Sequence, residues 1–89
     1  MAQITMHASL VRFTNQHIHF NMTIGTVVEI LPSLCQRYPL LKSCMLNASG
    51  ELTPYINIYI NGKNLNQCLP QMPLEQDDKV DVLTALVGG

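Results

Sequence analysis

The chain has no tryptophan, no long apolar run and little charge, and each shortage removes a class of function. Five Lys and Arg stand against six Asp and Glu, with no basic stretch, so there is neither a phosphate-tracking surface nor a polybasic membrane patch. No nucleic acid partner and no membrane association are expected. The apolar stretches are short and interrupted, and Met1-Ala2-Gln3-Ile4-Thr5-Met6-His7 lacks a charged region followed by an apolar one. A soluble, cytoplasmic protein is the expectation. Cysteine is scarce and odd in number, with Cys35, Cys44 and Cys68 forming no CxxC pair. That pattern argues against a disulfide framework and against a zinc site, and for reduced thiols in or near the core. The 89 residues leave room for one domain, residues 1–89, and no repeat or disordered linker divides it.

What is present is periodicity. Residues 4–8 alternate apolar and polar side chains, and residues 17–22 do so again, with Thr14-Asn15-Gln16 between them as turn chemistry. This predicts an N-terminal antiparallel hairpin with an irregular connection beginning near Ser9. Ile24, Val27, Val28, Leu31, Leu34, Cys35 and Tyr38 then recur at three- and four-residue spacing, the stripe of a helix that must cover a sheet. Thr23 or Thr26 is the expected N-cap, the latter with Glu29 as a capping box, and Pro39 marks the exit. Pro32 predicts a kink or irregular turn, because it lacks an N–H and crowds the carbonyl of Val28.

A short helical turn is expected over residues 40–46, followed by the loop residues Asn47-Ala48-Ser49-Gly50. Residues 55–60 alternate and run into Asn61-Gly62, a strong hairpin signal, with the isoleucines toward the helix and Asn57 and Tyr59 facing away. Residues 65–78 read as a turn-rich connection, and the run from Lys79 to Val87 as the last strand. In that strand Val80 and Val82 should face the core and Leu83 the opposite side, beside Tyr59. The order strand, strand, helix, strand, crossover, strand predicts an α+β domain, a mixed four- to five-stranded sheet with one main helix packed across one face.

The chain ends in Gly88-Gly89, with residues 85–89 expected to form a flexible tail. Glycine has no Cβ, so such a tail can be threaded into a narrow site in another protein, and the terminal carboxylate becomes the candidate functional group. Other candidates are weaker. His17 and His19, two apart on the expected strand, would share a face, but no third metal ligand accompanies them. Cys35 lies on the apolar stripe, which argues for an inert thiol, and Cys44 and Cys68 have no electropositive setting. Glu75, Asp77, Asp78 and Asp81 read as a solvated acidic rim that can also meet a basic partner.

Several segments resemble the bacterial and archaeal ubiquitin-like sulfur carriers, which include the molybdopterin synthase small subunit, the thiamin sulfur carrier and the cysteine-biosynthesis sulfur carrier. They are Ala8-Ser9-Leu10-Val11-Arg12-Phe13-Thr14; Arg37-Tyr38-Pro39 with Leu41; and Gly50-Glu51-Leu52 leading to Tyr55-Ile56-Asn57-Ile58-Tyr59-Ile60-Asn61-Gly62. Pro73-Leu74, Asp78-Lys79-Val80 and Leu83-Thr84-Ala85-Leu86-Val87-Gly88-Gly89 complete the match, which spans nearly the whole chain. The chain departs from the family's pattern at Pro32, Leu40 and Thr84, and its length and residues 47–53 look more like the cysteine-pathway carriers.

The resemblance implies a ubiquitin-like β-grasp fold and a chain that is a protein co-substrate, with no catalytic residue or metal of its own. A ubiquitin-activating-type adenylyltransferase would adenylate Gly89 with ATP, the only cofactor involved and one bound by the partner. A sulfur donor protein would then leave a C-terminal thiocarboxylate for a downstream synthase. Gly88 and Gly89 are the implied adenylation and thiocarboxylate site. Leu83, Leu86, Val87 and Tyr59 are the candidate docking residues. Three alternatives remain open: a subunit of a molybdopterin-synthase-like heteromeric enzyme, a protein modifier conjugated through Gly89 to lysines, or an interaction domain whose glycines are incidental.

Overall fold

A computed structural model describes residues 1–84. The expected flexible tail of residues 85–89 lies outside them. Alternation builds the sheet. Ala2, Ile4 and Met6 of β1 (Ala2–Met6) are buried while Gln3 is exposed, and Ile56, Ile58 and Ile60 of β3 (Ile56–Ile60) are buried in the same rhythm. β2 (His19–Met22) pairs antiparallel with β1, in the register Ile4 opposite Phe20. β4 (Lys63–Asn64) folds back on β3, and β5 (Lys79–Thr84) enters the middle, parallel to β1 and antiparallel to β3. The strand order is β2-β1-β5-β3-β4, so the last strand of the chain is the central strand of a mixed sheet.

The β3–β4 turn is made by Asn61 (φ 51°) and Gly62 (φ 85°), both in the left-handed region that a two-residue hairpin turn with the twist of the sheet requires. The connection from β1 to β2 is longer. A 3₁₀ helix over Ala8–Phe13 buries Leu10, and the backbone reverses through Asn15 and Gln16, both at positive φ. Strand β2 therefore begins only at His19, two residues later than the alternation predicts. His17 precedes it, with Nδ1 3.1 Å from the Tyr38 hydroxyl, whereas Nδ1 of His19 lies 3.2 Å from Thr5 Oγ1. The two histidines do not share a strand face.

The helical layer also differs from a single main helix. Thr26 leads into a 3₁₀ turn over Val27–Glu29, and α1 occupies Ile30–Arg37. Pro32 thus falls in the first turn of α1, where backbone N–H groups have no partner within the helix, and the irregular turn expected there is the 3₁₀ segment before it. The capping box is not formed. Thr26 Oγ1 donates to Glu29 Oε2 at 2.7 Å, rather than accepting from the backbone of the turn. The helix breaks at Tyr38 (φ −127°, ψ 84°), as a residue before proline prefers, and α2 runs over Pro39–Met45 with Pro39 in its first turn. This is a two-turn helix where only a short turn was expected.

Ile30, Leu34, Tyr38, Leu41 and Met45 from the helices meet Ile4, Met6, Ile58, Val80 and Val82 from the sheet in one core. The connection after β4 is stitched to the start of the helical layer. Val27 N donates to Met72 O, Val28 N to Pro70 O, and Leu74 N to Gly25 O.

Candidate functional site

β5 is the central strand of the sheet, and its described residues run to Thr84. Val80 and Val82 are fully buried against the helices, so Asp81 and Leu83 project from the opposite face. The β3–β5 register sets Leu83 opposite Asn57 and Tyr59 opposite Asp81. Leu83 and Tyr59 are thus diagonal neighbours on the helix-free face, a separation on the order of 7–8 Å between backbones. The structure brings these two together. Both are half-buried rather than open, because each strand has a neighbour on both sides, β1 and β3 for the Leu83 strand and β5 and β4 for the Tyr59 strand. Leu86, Val87, Gly88 and Gly89 lie outside the described residues.

Around this patch the face is polar. Thr5 of β1 stands beside Asp81, and Gln3 beside Lys79, in the parallel register. At the far end of β5 the chain enters the strand through a hydrogen-bonded corner. Asp78 accepts from Glu75 N at 2.7 Å and from Asn61 Nδ2 at 3.1 Å, and Lys79 N donates to Asn61 Oδ1 at 2.9 Å. The backbone and amide donors hold the Asp78 carboxyl below the ordinary carboxylate range. Asp78 thus serves as the corner of a turn as well as part of an acidic rim, and Asp77 beside it sits at positive φ (70°) and accepts from Gln3 Nε2.

The thiols are free and half-buried. Burial pushes Cys35 and Cys44 up, with the charges of Lys42 and Arg12 respectively pulling back in part. A raised pKa disfavours the thiolate, which is the nucleophilic form. Among the described residues no three His, Cys, Asp or Glu side chains gather as a metal-binding group.

The pattern of spacing missed one cluster. At the tail end of β5, His7 Nδ1 lies 3.1 Å from Ser9 Oγ, Ser9 Oγ donates to Thr84 Oγ1 at 3.2 Å, and Thr84 Oγ1 is 3.5 Å from His7 Nδ1. Thr84 is 75 residues from Ser9 in the chain, so only the parallel pairing of β1 with β5 makes them neighbours.

No family model matches the chain, and no curated protein matches it significantly. Solved structures do. The small archaeal modifier protein 1 of Methanosarcina acetivorans is 25% identical, with 99% of this chain and 95% of that chain covered and a TM-score of 0.80. A chain of the Amycolatopsis orientalis BexX/CysO complex is 20% identical over 100% of both chains, with a TM-score of 0.81. CysO of Mycobacterium tuberculosis is 18% identical, with 97% and 100% covered and a TM-score of 0.80. These likenesses extend over nearly the full length of each chain. The chain is a ubiquitin-like β-grasp domain, the fold that its sequence resemblance to the sulfur carriers implies.

Proposed function

We propose that this chain is a sulfur carrier whose C-terminal carboxylate, on Gly89, is the group that reacts. The observation that carries the proposal is the full-length β-grasp fold with its last strand in the centre of the sheet, five residues ahead of the Gly89 carboxylate. Fully extended, five residues reach on the order of 17 Å, enough to carry a terminus into a partner's active site while the globular body docks outside. Gly88 and Gly89 add no side chain to obstruct that passage.

The chemistry needs activation, since a carboxylate is a poor electrophile. The Gly89 carboxylate oxygen attacks the α-phosphorus of ATP bound by a ubiquitin-activating-type adenylyltransferase, and pyrophosphate leaves. Hydrosulfide released by a donor protein then attacks the acyl carbon of the adenylate, AMP departs with the bonding pair, and loss of the S–H proton leaves a thiocarboxylate for a downstream synthase. The chain is a co-substrate in both steps. Its own contribution is recognition, through the Leu83 and Tyr59 face continued by Leu86 and Val87, and reach.

The likeness to a chain from the BexX/CysO complex supports a carrier that works by docking on a separate protein. The likeness to small archaeal modifier protein 1 favours a second use of the same terminus, conjugation through Gly89 to lysines. The carrier role is tested by pyrophosphate release from ATP with the co-resident activating enzyme. Release should depend on this chain and cease when Gly89 is deleted. Equal release by the deleted chain would reject the assignment. Conjugation would show instead as higher-mass species in lysates that disappear with the same deletion.

A further inference from the structure

The ladder between β1 and β5 ends at Met6 opposite Val82, and its last backbone bond runs from His7 N to Val82 O at 2.8 Å. Beyond that point β5 continues to Thr84, paired with Ile56 of β3 on one side. On the other side β1 has ended, and the 3₁₀ helix over Ala8–Phe13 turns the chain away. Backbone on this flank is replaced by side chains. His7 at the start of the 3₁₀ helix, Ser9 within it and Thr84 of β5 close a triangle with edges of 3.1, 3.2 and 3.5 Å.

Ser9 donates to Thr84, and the roles at both contacts with His7 follow the tautomer of its ring.

We propose that His7, Ser9 and Thr84 form a polar clamp that holds β5 at Thr84, five residues ahead of the reactive Gly89. They act as positioning residues for activation of Gly89. The inference rests on the carrier function proposed above. Docking through the Leu83 and Tyr59 face sets how tightly the partner binds, whereas the clamp sets how often the bound tail lies in line for attack. Loosening it therefore lowers kcat and leaves KM in place.

Two measurements on the intact chain test this. Backbone ¹⁵N relaxation of the free protein should show Thr84 ordered, with an order parameter near about 0.85, falling toward about 0.6 in Ser9→Ala and in Thr84→Val. Circular dichroism of both variants should match that of the unaltered chain. In pyrophosphate release by the activating enzyme, the same two variants should lose kcat by about three- to tenfold at constant KM, an effect of orientation rather than of binding. Thr84→Ser keeps the hydroxyl, and His7→Asn puts an amide where Nδ1 stands; both should restore most of the rate. An unchanged Thr84 order parameter in Ser9→Ala overturns the clamp whatever the kinetics. A loss confined to KM, or no loss at all, overturns its role in activation. Absence of pyrophosphate release with the unaltered chain would instead defeat the carrier function itself, and with it the clamp's role in activation.

Discussion

Leu83 and Val82 are adjacent in β5 yet should respond oppositely to the same substitution. Val82 is fully buried in the core, opposite Ile58 and Met6. An aspartate there removes the apolar contact and places an unpaired carboxylate among hydrocarbon, at a cost of several kcal/mol even after relaxation. Against a total stability on the order of 5–15 kcal/mol, this is enough to unfold a small domain. Leu83 projects from the helix-free face and is already half-buried by its neighbours. No more than about a third of the 1.5–3 kcal/mol that complete burial of a leucine is worth, roughly 0.5–1 kcal/mol, remains to be gained on docking. Leu83→Asp should therefore weaken binding to the activating enzyme by roughly two- to fivefold. Circular dichroism and a binding titration on both variants decide the matter. Unfolding by Leu83→Asp, or a folded Val82→Asp, would show the faces to be reversed. A folded Leu83→Asp with unchanged affinity would remove the patch from the docking surface.

Other expectations follow from single contacts. Gly62→Ala should destabilise the domain by about 1–2 kcal/mol in urea unfolding, and because nothing lies within 4 Å of the added Cβ, the loss is one of backbone conformation alone. Tyr38→Phe keeps the ring packed 5.3 Å from that of Phe20 and removes the hydroxyl facing His17, so a loss of only about 0.5–1.5 kcal/mol is expected. The folded state lowers the pKa of Asp78, so its contribution to stability is present above the unfolded carboxylate value and is lost as pH falls through the lower folded one. Asp78→Asn should flatten that acid limb in unfolding curves taken at successive pH values, and an unaltered limb would contradict the role given to the corner.

The sheet was legible because its signals are local. The isoleucines of β3, the valines of β5 and the Asn61-Gly62 turn each declare a face or a reversal within a few residues. The fold class followed from their order together with the family resemblance. The helical layer was less legible, since the spacing of apolar residues from Ile24 to Tyr38 continues through a 3₁₀ turn and an α-helix alike. Periodicity cannot tell where i to i+3 bonding gives way to i to i+4, and Pro32 is disruptive only when the helix is assumed to start a turn too early. The start of β2 was misplaced for a similar reason: His17 and Ile18 fit the alternation, but Asn15 and Gln16 at positive φ keep the chain turning until His19. At the site, strand parity placed Tyr59 and Leu83 on one face. It carried no information about how far a central strand is sheltered, or about a cluster joining His7 and Ser9 to Thr84, because both depend on which strands become neighbours.

The central claim is that Gly89 becomes a thiocarboxylate, and intact-mass measurement tests it most directly. After incubation with the activating enzyme, ATP and a sulfur donor, the chain should gain the mass difference between one sulfur and one oxygen. Fragmentation should place that gain on the last residue, and a chain lacking Gly89 or carrying a bulky residue beyond it should not change. A gain located elsewhere, or one equally large in the chain without Gly89, would contradict the account.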